Sequence, residues 1–303
     1  MHVIEGDITN PDDFKKLSSY NIDTIINSAA NVKHYAQGSE LKDINFGGTV
    51  NALEFAKTKD ARFIQVSTVS VAGERVNKIP PKEVKLYETD LFINQIIDNK
   101  YVESKFLAER KVLESAIDYD LDVKIMRVGN LMARSYDGLF QRNYDTNAFI
   151  NNLKSFVTIG KMPLSFANFE VEFSAIDITA KSIISLSKTP KGCCIFHPFT
   201  NKQTTYRNVV DVLNSFGLNI ELCDEDSFNK SLNEIFNDKT KHEGIFGLIT
   251  RLNNSEVKYE YILADNDYTS KLLMEFGVKW PEINEKYLHD FIKLFIDLDF
   301  FKI

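Results

Sequence analysis

Phe63-Ile64-Gln65-Val66-Ser67 reads as a strand, Asn99 to Ala116 as a helix, and Val123-Lys124-Ile125-Met126-Arg127-Val128 as the next strand. Thr24-Ile25-Ile26-Asn27 is a short apolar run of the same kind, and Ser39 to Lys57 has helical periodicity. Strands alternating with helices of this length imply a parallel sheet with crossover helices. The fold class expected is therefore α/β, a Rossmann-like parallel sheet. Right-handed crossovers place the carboxyl ends of the strands along one edge, where ligands bind.

Outward from this centre, Val3-Ile4 reads as a strand stub and Pro11 to Ser19 as helical. Beyond Leu131, helices are expected at 145–159, 177–187, 206–216, 227–236, 267–276 and 284–300, with a late strand at 193–196. Stripes such as Tyr287, Leu288, Phe291, Ile292, Leu294 and Phe295 are core faces by their spacing. The expected division is a Rossmann-like dinucleotide-binding domain over 1–140 and 172–200, incomplete at its start, and a smaller helix-rich substrate cap over 141–171 and 201–303.

The 303 residues carry a formal charge of −7, which speaks against general affinity for nucleic acid or acidic lipid. No apolar run is long enough to cross a bilayer, and the start lacks the pattern of a signal peptide, so a cytoplasmic protein is expected. Cys193 and Cys194 are adjacent within the late strand and point to opposite faces, which excludes a disulfide framework. His34, His197 and His289 are scattered without metal-ligand spacing, and no metal site is expected. The acidic run from Glu221 to Asp226 reads as a solvated turn. Asp7 is a candidate cap for the helix opened by Pro11, and Asp177 for the helix that it begins.

Chemistry concentrates at the strand ends. Tyr101 and Lys105 are four residues apart on one helix and project from one face. An ammonium beside a phenol favours phenolate, so the Tyr101 pKa is expected to fall. Strand 63–67 runs into Thr68, whose hydroxyl would lie in the crevice at the sheet's carboxyl edge. Ser67 and Thr68 face opposite ways, so only one can serve. Ser28-Ala29-Ala30 follows the strand 24–27 with small residues that let a flat ligand approach, and Gly129-Asn130 follows Val128.

These residues resemble, in order, the motifs of the extended short-chain dehydrogenase/reductase superfamily. Gly6-Asp7-Ile8 is similar to its acidic adenine-contacting turn, and Asn27-Ser28-Ala29-Ala30 to the segment passing the cofactor. Asn45-Phe46-Gly47-Gly48-Thr49 is similar to its NxxGT helix motif, and Thr68, five before Gly73, to its active-site hydroxyl. Tyr101 and Lys105 match its catalytic pair. The closest likeness is to carrier-protein thioester reductase domains of nonribosomal peptide and polyketide assembly lines, with fatty acyl-CoA and carboxylic acid reductases. It rests on Arg127-Val128-Gly129-Asn130-Leu131, Asp137-Gly138, Asn147-Ala148-Phe149, Glu172 to Asp177 and Gly277 to Pro281.

The resemblance implies NADPH-dependent reduction of an acyl or peptidyl thioester held on the phosphopantetheine of a carrier protein. Thr68, Tyr101 and Lys105 would be catalytic. Asp7, Ile8, Ala29, Ala30, Tyr101, Lys105, Val128 and Asn130 would contact NADP. The family's opening strand, glycine-rich GxxGxxG turn and helix are not found in the sequence. The expectation is of a truncated chain that binds dinucleotide poorly alone, with strand Val3-Ile4 left without a neighbour and strand 24–27 left as an exposed edge. Other readings are a nucleotide-sugar epimerase or dehydratase of the same superfamily, and a non-catalytic remnant that serves as a docking piece.

Overall fold

The structure, a computed structural model, describes residues 1–32, 39–76, 84–238, 244–245, 248 and 259–301. His34 lies outside them. The chain divides into two compact units. The first comprises 1–129, 180–199 and 257–278, and the second 130–179, 200–256 and 279–303.

The first unit is built on a parallel sheet of β1 (Thr24–Asn27), β2 (Arg62–Thr68), β3 (Val123–Val128) and β4 (Ile195–Phe196), in that order. Registers pair Thr24 with Arg62, Phe63 with Val123 and Ile195 with Ile125. Every residue of β3 is buried, as expected of a strand covered on both faces. Two helices pack on the sheet, α1 (Gly48–Lys59) and α2 (Lys100–Tyr119). Ala52, Leu53 and Ala56 of α1 and Val112 of α2 meet Phe63, Val123 and Ile125 in its core. Burying each of the larger side chains is worth roughly 1.5–3 kcal/mol. Asn99 starts α2 because its side-chain oxygen accepts from the amides of Tyr101 and Val102, at 2.9 and 3.2 Å. Asp120 ends it in the left-handed region, at φ 53°.

The strands at 24–27 and 123–128 and the helix after Asn99 match the sequence reading closely. Five expectations need correction. Val3-Ile4 forms no strand, whereas β1 is the edge strand that was expected, with a hydrogen-bonded neighbour on one side only among the described residues. Cys193 and Cys194 precede β4, where the Cys194 carbonyl accepts from Ile125 N at 2.6 Å. The run from Glu221 is strand Glu221–Cys223, paired in parallel with Lys161–Pro163, and Asp224 then caps helix Glu225–Asn237. Asn10, not Asp7, caps the turn at Pro11. Asp177 is the second residue of helix Ile176–Leu186, not the residue before it, and its carboxylate accepts from Ser135 N and Oγ, at 2.9 and 2.6 Å.

The division also differs from the expected one. Residues 257–278 fold with the first unit, because Tyr259–Tyr261 pairs antiparallel with Glu74–Val76, and Leu263–Ala264 pairs in parallel with Lys85–Leu86. Residues 130–140 and 172–179 fold with the second, where Leu131–Met132 pairs with Ser174–Ala175.

The second unit carries helices Ala148–Ile159, Tyr206–Ser215, Glu225–Asn237 and Glu285–Asp297 around an aromatic core. Phe173, Phe291 and Phe295 are fully buried, and Phe291 meets both of the others edge to face, at 5.7 and 5.2 Å. Tyr287 Oη donates to Ala133 O at 2.8 Å, so the buried phenol is satisfied. Among the described residues, no helix is long and apolar enough to cross a membrane.

Candidate active site

The end of β2 and the start of α2 carry three of the expected groups. Thr68 is the last residue of β2 and caps the short turn Val69–Ala72. Its Oγ1 accepts from Ser70 N and donates to Ser70 Oγ, both at 3.1 Å. Ser67 points the other way. It is buried and donates to Glu109 Oε1 at 2.5 Å, so its hydroxyl belongs to the interior of the unit. Gly73 closes the turn at φ 66°, where a Cβ would come within 2.5 Å of the Ile96 carbonyl, so only glycine fits.

Tyr101 is the second residue of α2. Its ring packs against the buried cluster of Val71 and Ala72, from the turn that Thr68 caps, with Leu86, Val102 and Ile262. Lys105 follows one turn later, 4% exposed, and its Nζ donates to the Val66 carbonyl of β2 at 2.6 Å. Burial pulls its pKa down to about 8, against the opposing charge of Glu109. The expected fall in the Tyr101 pKa does not occur. Burial of the ring pushes it up to about 12. The apolar cluster disfavours phenolate, and the Lys105 ammonium is engaged with a backbone carbonyl.

The expected cofactor contacts of the first unit lie on the segments around Asp7 and Ala29 and at the end of β3. Asp7 is exposed and folds its carboxylate onto Thr9, accepting from N and Oγ1 at 2.8 Å each. Those bonds hold its pKa below the usual carboxylate value. Ile8 sits against Gly48, where a Cβ would lie 2.8 Å from Ile8 Cγ2. Asn51 of α1 donates to the Ile8 and Thr9 carbonyls at 3.0 and 3.1 Å. Ala29 is exposed and Ala30 half-buried on the segment after β1. That segment is held by Asn45, which accepts from Asn31 N at 2.7 Å and donates to Asn31 O at 3.0 Å and Ser104 Oγ at 2.9 Å. Val128 ends β3 and is buried. Asn130 belongs to the second unit, where its amide donates to Glu172 Oε2 at 2.5 Å and its carbonyl accepts from Ser174 N at 3.0 Å. Burial pushes the Glu172 carboxyl up to about 7.

Beneath the first-unit group lies a buried charge network that the sequence reading missed. Arg127 of β3 and Glu109 of α2 are both wholly buried. Arg127 Nε and Nη2 grip both carboxylate oxygens at 2.8–3.1 Å. Nη1 reaches Asp90 O at 2.9 Å and His197 Nε2 at 3.2 Å. A guanidinium only donates, so Nε2 accepts and the His197 Nδ1–H is directed to the Asp265 carbonyl. Burial and then the Arg127 charge press the His197 pKa down to about 4, so the ring is neutral. Two signals were readable. Tyr101, Lys105 and Glu109 recur at four-residue intervals, and Arg127, like Lys124, places a cation in a strand that is otherwise apolar.

A family model described as male sterility protein, of NAD-binding type, matches residues 1–183. The chain belongs to that family. The resemblance to extended short-chain dehydrogenase/reductases is thereby borne out. Among solved structures, this male sterility family chain is 40% identical to a thiolation-reductase di-domain from an archaeal nonribosomal peptide synthetase, with TM-score 0.86 over 99% of this chain and 62% of that one. A reductase domain from the aureusimine biosynthetic cluster is 28% identical, with TM-score 0.76 over 92% of this chain and 70% of that one. The terminal R domain of the myxalamid polyketide–peptide pathway is 20% identical, with TM-score 0.81 over 99% and 75%, a likeness of fold. The chain thus spans less than two thirds of the first of these relatives. No curated protein matches it.

The family implies a nicotinamide dinucleotide, and the donor set fits its ribose end. An ammonium has three N–H donors. Among the described residues, Lys105 has one acceptor, the Val66 carbonyl, which leaves two N–H groups for ribose hydroxyls.

Proposed function

We propose that this chain reduces acyl or peptidyl thioesters presented on the phosphopantetheine arm of a carrier protein, with NADPH as the electron source and an aldehyde as the first product. The observation that carries the reading is 40% identity, along 99% of this chain, to a di-domain in which a thiolation domain is joined to a reductase. The placement of Tyr101, Lys105 and Thr68 around the carboxyl end of β2 supports it. The chemistry supplied by a bound reduced nicotinamide is hydride donation to the thioester carbonyl carbon.

The chain's own groups do the rest. Negative charge develops on the carbonyl oxygen, and Tyr101 Oη–H and Thr68 Oγ1–H donate to it. Tyr101 then gives up its proton as general acid. A phenol pushed up to about 12 is fully protonated at neutral pH, the form that reduction needs. Lys105 holds the nicotinamide ribose through its two remaining N–H groups. Val128 lines the nicotinamide, Ala29 and Ala30 border the dinucleotide, and Asp7 and Ile8 meet the adenine end. The hemithioacetal collapses to free thiol and aldehyde.

The test uses the full-length protein with an acyl-loaded carrier domain. Loss of NADPH absorbance with matching aldehyde, captured by a hydrazine and weighed by mass spectrometry, is the expected result. NADPH left unconsumed with every acyl carrier tried would remove the reading.

A further inference from the structure

Lys105 presents a physical problem. It is nearly sealed from water, yet holding the Val66 carbonyl with one N–H and a ribose with two more needs all three donors of an ammonium. Desolvation favours the neutral amine, which has two donors and no charge. Among the described residues, the charge of Glu109 opposes this. Glu109 is one helical turn beyond Lys105, on the same face of α2. Its carboxylate reaches Ser67 on β2, the residue after Val66, whose carbonyl takes the Lys105 Nζ. Two consecutive residues of β2 therefore receive Lys105 and Glu109 side by side.

We infer that Glu109 is a positioning residue for this site: clamped by Arg127 and Ser67, its buried carboxylate keeps Lys105 an ammonium and turns Ser67 inward, so that Thr68 takes the other face of β2. The inference rests on the reductase reading only for its consequence in turnover. The clamp is what makes Glu109 suitable. Free to rotate, a carboxylate at this depth would collapse onto the lysine as an ion pair and occupy the donors that ribose needs. Held by three N–H contacts from Arg127 and one O–H from Ser67, it acts on Lys105 through charge alone. Arg127 is in turn fixed by the Asp90 carbonyl and the neutral His197.

The elements packed against α2 offer few rival charges. Glu40, Lys42 and Asp43 are exposed, and so is Glu54 of α1, which pairs with Lys57. Lys59 of α1 donates to the Ser18 and Tyr20 carbonyls. Arg62 of β2 and Lys124 of β3 are both paired with Asp122. Tyr101 on α2 itself is neutral across the working range.

The experiment reads Lys105 directly. Lysine isotopically labelled at Cε reports the protonation of each amine by NMR, and Lys105→Met identifies the resonance. In Glu109→Gln, which keeps the shape and can still meet Ser67, the Lys105 midpoint is expected to fall by about 1 pH unit. An unmoved midpoint overturns the inference. If Glu109→Gln alone does not fold, Glu109→Gln with Arg127→Met removes the stranded cation and is read in the same way. In the full-length protein, Glu109→Gln is expected to lower kcat about tenfold or more at neutral pH, with KM for the carrier thioester within about twofold of wild type. A midpoint that falls in a protein with no thioester reduction in any form would uphold Glu109 and remove the reductase reading. Wild-type reduction with an unmoved midpoint in the variant does the reverse.

Discussion

Removing the Tyr101 hydroxyl leaves its ring among Val71, Ala72, Leu86 and Ile262, so Tyr101→Phe tests chemistry and not packing. Turnover is expected to fall to background, with thermal unfolding close to wild type by circular dichroism. Thr68→Ala removes one oxyanion donor and should cost about 10²–10³ in kcat, read by NADPH absorbance. The four-residue spacing of Tyr101 and Lys105 was visible in the sequence. The sign of the Tyr101 shift was not, because it is set by apolar neighbours from 71 to 262 that periodicity cannot bring together. Ser67 and Thr68 were separable in principle by strand alternation, but the partner that claims Ser67 lies on α2.

At the scale of elements, α2 and β3 are joined by a wholly buried ion pair, which β2 meets through Ser67. Breaking such a pair from one side strands a buried charge. Arg127→Met should therefore destabilise the first unit by about 3–5 kcal/mol, seen as a lower urea midpoint. Glu109→Met combined with Arg127→Met should recover most of the loss, since two apolar residues of similar volume leave nothing unpaired. In the second unit, Glu172 makes stability depend on pH. Its folded pKa, about 7, lies above the ordinary 4.5, so folding favours the protonated form. That contribution is complete below about 4.5 and is lost as pH rises through about 7. Glu172→Gln should flatten this part of the profile, measured as urea midpoints near pH 5 and near pH 8. Long elements were legible from residues alone, because β3 and α2 carry their own patterns of burial and capping. Two- and three-residue strands such as Glu221–Cys223 and Tyr259–Tyr261 were not, because a partner from elsewhere in the chain makes each of them a strand.

Across the whole molecule, each unit has a core of its own, and the second is distinctly aromatic. Phe291 touches Phe140, Phe173 and Phe295, so Phe291→Ala opens a cavity that stiff rings cannot refill. The expected cost is about 3–5 kcal/mol by urea titration. The α/β class followed from the alternation in the first 130 residues. The assignment of 257–278 did not, because a helical pattern at Asp267–Glu275 carries no mark of which unit it joins.

β1 bears on how the protein behaves in a tube. Its outer row of amides and carbonyls has no ladder partner among the described residues, and its own Ile26 is 40% exposed. A strand in that condition can template the backbone of a second molecule, so crowding favours fibrous or amorphous clumping. Dilute samples and brief concentration steps suit such a surface, and light scattering gives the earliest warning.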